Sequence, residues 1–480
     1  MIYWLVRANW GGDDRTDFFI DGNYWENGYS DGKYKEIVNR VKIGDTLLLA
    51  DGSYVRYFAI CTSNKKDGKS IYIDKWKTFK EALFFPAKGS YIRTIVQIKN
   101  QDFLKVVSNK IDIEEIKKNF YLSSLAVYDF MSLENGRINF SDGINLFIGE
   151  NGSGKSQILK LLYSIIEANN EIVLEDEESE YEKRRIIAKN LTDIFNTQQL
   201  GNLVNKDKRE SKVTIDLNAY KLSFKFKTGS KKEVEKHLEE FKQEFISKKS
   251  IFIPAKEVLS FFKGFRIVYE KKYLSFDKTY YNLCKALEEP LSKTNKLPKI
   301  IDMLESILDG KIEIIDGNFY LIAGDRKYEI TLIAEGLRKI GMLSYLLSNE
   351  ALDHQSILFW DEPEANMHPK LIDDIVSFLV LLANRGMQIF ISTHSPYVIE
   401  SFNNHLKKSK IKSLHTDDSE IAEIEALDPK NKITAYLLED NKVINILDKE
   451  YGLLDDKLLQ NFNDINRLYD KMRDIEWDNQ

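Results

Sequence analysis

Along the first hundred residues the apolar positions fall in short runs separated by polar turns. Residues 2–6, 46–50, 56–61, 70–73 and 91–98 read as strands, punctuated by turns such as Gly44-Asp45 and Asp51-Gly52. Beyond a polar stretch at 110–119 the pattern changes. Apolar runs at 122–130 and 144–148 predict further strands, and the second leads through a glycine-rich turn into helical spacing over 158–166. Val234, Leu238, Phe241 and Phe245 recur at helical intervals in a charged background, predicting an amphipathic arm over 231–248. Residues 312–315 and 318–322 flank Asp316-Gly317, a hairpin signal. A helix from about 334 to 347, a strand at 357–360, a helix at 369–383 and a strand at 388–392 follow. Strand and helix alternate here, so a mostly parallel sheet covered by helices is expected. The chain then divides into a small β-rich (α+β) unit over 1–115, an α/β body over 120–440 and a helical tail over 441–480.

Composition narrows the class. With 43% hydrophobic and 30% charged residues in 480, the chain is an ordinary globular one, long enough for a large core. Cys61 and Cys284 are the two cysteines, which excludes a disulfide framework and a four-cysteine zinc site. The longest apolar stretch, 375–383, is interrupted by Ser377 and too short to span a bilayer, and no secretory signal opens the chain. A cytoplasmic location without membrane contact is expected. The net charge, 69 − 75 = −6, hides an asymmetry. Residues 1–110 carry 18 Lys+Arg against 13 Asp+Glu, and 56–110 carry 12 against 4. A basic front joined to an acidic body suggests a polyanion contact, DNA or RNA, on the smaller part; the competing reading makes these lysines ordinary solvated surface.

One octet names a chemistry. Gly149-Glu150-Asn151-Gly152-Ser153-Gly154-Lys155-Ser156 fits GxxxxGK[ST], follows the apolar run INLFI and opens the helical run QILKLLYSI. Its glycines let successive backbone N–H groups converge on phosphate oxygens, assisted by the helix N-terminus. Lys155 would neutralise the outer phosphates, and the Ser156 hydroxyl would ligate Mg²⁺. The run ILFWDE ends a buried strand with Asp361, suited to the metal, and Glu362, suited to polarise water as a general base. The run IFISTHS ends a third strand with His394, placed to meet the γ-phosphate.

With LSSLAVYDF, INLFIGENGSGKS, IAEGLRKIGMLSYLL, ILFWDEPEANMHP and IFISTHSP in this order, the chain resembles ABC-type ATPases of the RecF/SMC and overcoming-lysogenization-defect (OLD) class over about 120–440. The resemblance implies an α/β P-loop NTPase fold, an ABC ATPase-type sheet with a helical arm or lid inserted at about 225–310. It implies a Walker A loop of Gly149, Asn151, Gly152, Ser153, Gly154, Lys155 and Ser156, with Gln157 also on the nucleotide. By the same resemblance Asp361 is the Walker B metal ligand with Ser156, Glu362 the catalytic glutamate, His394 the switch histidine and 364–368 the D-loop. Ala334, Glu335 and Gly336 take the place of the signature motif that serves the partner subunit's nucleotide, so a homodimer or higher homo-oligomer is implied. Ala334 departs from the usual serine. Arg338 and Lys339 read as a solvated helix face, Gln198 and Gln199 stand where a Q-loop could fall, and 250–277 looks like the arm segment; Lys256 and Glu257 receive no chemistry.

Only about 80 residues follow His394, without the strand-helix series of a TOPRIM nuclease domain. The expected role is therefore an ATPase subunit, similar to those of the Septu and PARIS anti-phage systems, that controls a separately encoded nuclease. A RecF-like repair ATPase and a nucleotide-gated scaffold with little turnover are the alternatives. The front segment, with ANWGG, YWENGY and VNRVKIGDTLLLAD, resembles EVE/PUA-like modules. That resemblance makes Trp10, Trp25 and Tyr29 candidate walls of a pocket for a flipped base; the competing reading puts them in the small unit's core.

Overall fold

The computed structural model describes residues 2–85, 95–99, 121–174, 179–236, 247–411 and 425–448, short interior stretches excepted, with a few positions beyond. Two compact units result, one built on Met1–Phe120 and one on the chain from Tyr121 onward.

The front unit is a seven-stranded sheet in the order Tyr24–Glu26, Ser70–Ile73, Tyr54–Asn64, Thr46–Asp51, Tyr3–Arg7, Ile95–Gln97, with Lys77–Phe84 also paired to Tyr54–Asn64. Tyr3–Arg7 runs parallel to Thr46–Asp51, and the remaining pairs are antiparallel. The turn at Gly44-Asp45 is fixed from within. Asp45 is buried, and its carboxylate accepts from the Trp4 indole at 2.8 Å and from the Lys42 N–H at 2.9 Å. Both cysteines are buried, and burial pushes each thiol up to about 12, so neither is a reactive thiolate.

Trp25 decides one expectation. It is fully buried among Phe19, Ile71 and Trp4, and its indole donates to the Arg7 carbonyl at 3.0 Å. A ring so placed cannot stack on an extruded base, so Trp25 is core and not a pocket wall. Trp25→Ala should cost about 3–5 kcal/mol, read as a lowered midpoint of front-unit unfolding in denaturant.

In the second unit the central sheet runs Ser250–Ile253, Ile357–Asp361, Gln388–Thr393, Ile144–Gly149, Ile433–Glu439, Lys442–Asn445. The first five strands are parallel and the last is antiparallel. Strands buried on both faces read as continuous apolar runs, as INLFI, ILFW and QIFIS do. Helix Lys155–Leu174 covers one face over an aromatic layer in which Phe252, Phe359 and Phe390 stack in series and Tyr163 packs against the first two. A second, antiparallel sheet holds Gly136–Asn139, Ser124–Tyr128, Glu210–Asp216, Lys221–Lys227 and Glu235–Lys236. Buried Gln388 ties the start of this sheet to the central one, its amide meeting both Leu122 N–H and Leu122 C=O. Asp316 and Gly317 both take positive φ and close the expected hairpin Lys311–Ile315/Asn318–Ala323. Among the described residues no helix is long and apolar enough to cross a membrane.

Two boundaries are corrected. The interval 225–310 is not a helical arm throughout: Ser250–Ile253 is the edge strand of the central sheet, and helices Phe265–Glu270, Lys278–Leu287 and Pro298–Leu308 follow it. Four apolar-rich residues beside strand Ile357–Asp361 satisfy a parallel edge, which helical periodicity could not reveal. The 231–248 arm falls largely outside the described residues, and Val234 is buried next to strand Glu235–Lys236. The tail at 441–480 opens with strand Lys442–Asn445, returned by a turn with Asp440 at positive φ, not with a helix.

Candidate functional site

The loop after Ile144–Gly149 takes its shape from what a side chain would strike. At Gly149, with φ +154°, a Cβ would stand 2.4 Å from the Leu438 carbonyl oxygen. Gly154, at φ +100°, seats against Leu133. The chain can therefore curl and start helix Lys155–Leu174 with its first N–H groups facing the loop. Lys155 is buried and folds back over the loop, donating to the Gly149 carbonyl at 2.7 Å and the Glu150 carbonyl at 2.8 Å. Burial lowers its pKa, while Glu362, Asp361, Glu364 and Glu150 oppose that shift. Gln157 sits at the same mouth, its amide oxygen accepting from the Ser132 hydroxyl at 3.1 Å.

Asp361 and Ser156 meet although their strands are not neighbours. Gln388–Thr393 lies between them in the sheet, with Asp361 in register with Ser392 and Phe147 also in register with Ser392. The three C-terminal ends thus come to one edge. Asp361 Oδ1 accepts from the Ser156 hydroxyl at 2.8 Å and from the Ser392 hydroxyl. A carboxylate and a hydroxyl beside a phosphate-binding loop form the hard-oxygen set suited to Mg²⁺, which takes few protein ligands and completes its shell with phosphates and water.

Glu362 turns off the strand at φ +51°, its N–H donating to the Ser392 carbonyl at 3.0 Å. Its Oε1 lies 3.3 Å from His394 Nδ1. A non-glycine residue held in the left-handed region at a strand end marks a site where side-chain aim outweighs backbone comfort. Residues 137–260 match the family described as "ABC transporter", and 287–400 match the family described as "AAA domain, putative AbiEii toxin, Type IV TA system". Similar solved structures include the SmcHead bound to the C-winged helix domain of ScpA, at 12% identity over 68% of this chain and 97% of that one, TM-score 0.39. The SMC head domain from Thermotoga maritima is 13% identical over 68% and 98%, TM-score 0.35. The recombination mediator RecF-ATPrS of the RecFOR pathway is 16% identical over 68% and 98%, TM-score 0.36. The body has an α/β P-loop NTPase fold, its parallel sheet leading through the 149–154 loop into helix Lys155–Leu174.

Within this P-loop domain one carboxylate was undervalued. Glu364 is buried, accepts from the Thr393 hydroxyl at 2.7 Å and the His394 N–H at 3.1 Å, and comes within 3.6 Å of His394 Nδ1. Its Oε2 has no hydrogen-bond partner among the described residues. DEPE shows a second carboxylate, but it is the turn at 363–366 that brings Glu364 back beside His394.

Ala334 stands in extended conformation before helix Glu335–Ser348, with no side-chain cap. Glu335 accepts from the Asn366 amide at 2.9 Å, and a Cβ on Gly336 would approach Met367 to 3.3 Å. Glu335 and Gly336, two of the residues expected at the signature, therefore pack against Asn366, Met367 and Leu371 of their own chain. The solvated face expected for Arg338 and Lys339 is also corrected. Arg338 pairs with buried Glu257 at 2.9 Å, and Lys339 is wholly buried, donating to the Ala365 carbonyl at 2.8 Å. Glu257 so gains a role as the anchor of that helix. Gln199 donates to Asn202 at 3.0 Å within its own turn, a local structural use that differs from a Q-loop contact. In the front unit Tyr29 is 38% exposed against Tyr34 and Lys33, and Trp10 lies in the ribbon Asn9–Trp10/Asp13–Asp14.

Proposed function

We propose that this protein binds ATP with Mg²⁺ and hydrolyses it as a switch subunit, pairing with a second copy around the nucleotide and controlling a separately encoded effector nuclease in anti-phage defence. The observation that carries the ATPase part is the convergence of Lys155, Ser156–Asp361 and Glu362–His394 on one sheet edge. The backbone N–H groups of 149–156 and Lys155 take the phosphates. Mg²⁺, held by Ser156 and Asp361, would offset charge on the β- and γ-phosphate oxygens. Glu362 accepts the proton of the attacking water, and His394, aimed through Glu362 and Glu364, steadies the terminal phosphate. The signature residues Ala334, Glu335 and Gly336 face a partner copy in this reading. The match of 287–400 to a family described with a toxin–antitoxin system supports the defence role. The basic front unit is read as a polyanion contact, and the location as cytoplasmic.

A nucleotide-gated scaffold with little turnover is the second reading, favoured by Ala334, which brings no hydroxyl to the signature. Phosphate release by purified protein, its mass with and without ATP, and its co-purification with the product of the neighbouring gene test the proposal. Phosphate release at background together with unchanged mass in ATP would sink the switch. Failure to restrict phage plaques would sink the defence role alone.

A further inference from the structure

Strands Tyr24–Glu26 and Ser70–Ile73 pair antiparallel, Tyr24 opposite Tyr72 and Trp25 opposite Ile71. The alternation sends Trp25 and Ile71 into the core and leaves both tyrosines on the other face. Phe18, on helix Thr16–Gly22, joins them edge-to-face, 5.7 Å from Tyr24, and Tyr24 lies 6.4 Å from Tyr72. Phe18 is 50% exposed and Tyr72 38%, while Tyr24 between them is half-buried and leans on the core through Phe19. A cation stands at each end, the Arg15 guanidinium 5.8 Å from the Phe18 ring and Lys65 Nζ 5.2 Å from the Tyr72 ring. Of the acids nearby, Glu26 is matched by Lys69 at 3.0 Å, Asp67 lies near enough to Lys65 to feel its charge, and Asp17 and Asp21 share the Phe18 helix.

We propose that this three-ring platform, flanked by Arg15 and Lys65, binds single-stranded nucleic acid by stacking unpaired bases on Phe18, Tyr24 and Tyr72. Two exposed rings joined by the half-buried Tyr24, with cations beside them, match what a single strand offers, π-faces along a phosphate backbone. A duplex buries those faces in its own stack, so it meets only the charges. A protein partner is the weaker fit, because the surrounding residues 1–110 carry a net +5 (18 − 13). The inference sharpens the polyanion reading of the front unit and is independent of the nucleotide site.

The test uses the full chain and fluorescein-labelled 20-mers of one mixed sequence, as single-stranded DNA, single-stranded RNA and duplex DNA, followed by anisotropy at two salt concentrations. The expected result is at least ten-fold tighter binding of one or both single strands than of duplex. Phe18→Ala and Tyr72→Ala should each weaken single-strand binding about ten-fold, Phe18→Tyr should retain it, and Arg15→Gln and Lys65→Gln should flatten its salt dependence. Unchanged thermal midpoint and phosphate release in the ring variants exclude unfolding. Duplex and single strands bound alike, with no effect of the ring variants, would overturn the platform while leaving the polyanion reading standing. No binding of any oligomer would overturn both.

Discussion

Lys155→Ala is expected to abolish nucleotide binding and, with it, phosphate release. The buried ammonium donates to two loop carbonyls, at 2.7 and 2.8 Å, so the loop is shaped around a cation. Four carboxylates, of Glu362, Asp361, Glu364 and Glu150, act on that ammonium and would otherwise repel a triphosphate. Removing the charge therefore loses a charge-assisted contact of about 1.5–3 kcal/mol and exposes the phosphates to uncompensated acids. Affinity for ATP should drop at least a hundred-fold in titration calorimetry. The fold should survive, because strand Ile144–Gly149 keeps its pairing with both neighbours and Glu150 is exposed. Retained micromolar binding by Lys155→Ala would show that the backbone N–H groups carry the site without the lysine.

The parts of this site legible in the sequence are those whose chemistry is local. A phosphate loop needs its glycines, lysine and serine contiguous, so Gly149 to Ser156 announces itself. Asp361, Glu362 and His394 were legible because each ends a short apolar strand, and such strands can only deliver their last residues to the same sheet edge. What escaped depends on distant partners. Lys339 looks like a surface residue until helix Glu335–Ser348 is laid on the loop that offers it the Ala365 carbonyl. Arg338 and Glu257 lie on separate segments, and nothing local in either predicts their pairing. Strand Ser250–Ile253 was missed for the same reason: four residues carry no period long enough to distinguish an edge strand from the start of an arm. Trp25 was ambiguous since aromatic residues serve cores and pockets alike, and only burial separates the two.

Glu362→Gln separates binding from turnover. The substitution keeps the size and hydrogen-bonding capacity of the side chain but removes its ability to take a proton from water. Lys155, Ser156 and Asp361 are untouched, so ATP affinity should stay within a few-fold of the original. Phosphate release should fall by about 10²–10⁴-fold, the usual contribution of a positioned general base. With ATP bound and not consumed, the dimeric form should accumulate, and mass photometry in ATP should show more of it than for the unaltered protein. His394 provides an internal check, for its Nδ1 faces Glu362 Oε1 at 3.3 Å, and the neutral amide weakens that pairing. If Glu362→Gln protects cells against phage as well as the unaltered protein while Lys155→Ala does not, ATP binding alone sets the switch. Loss of protection in both assigns the signal to hydrolysis, because the first variant still carries its nucleotide.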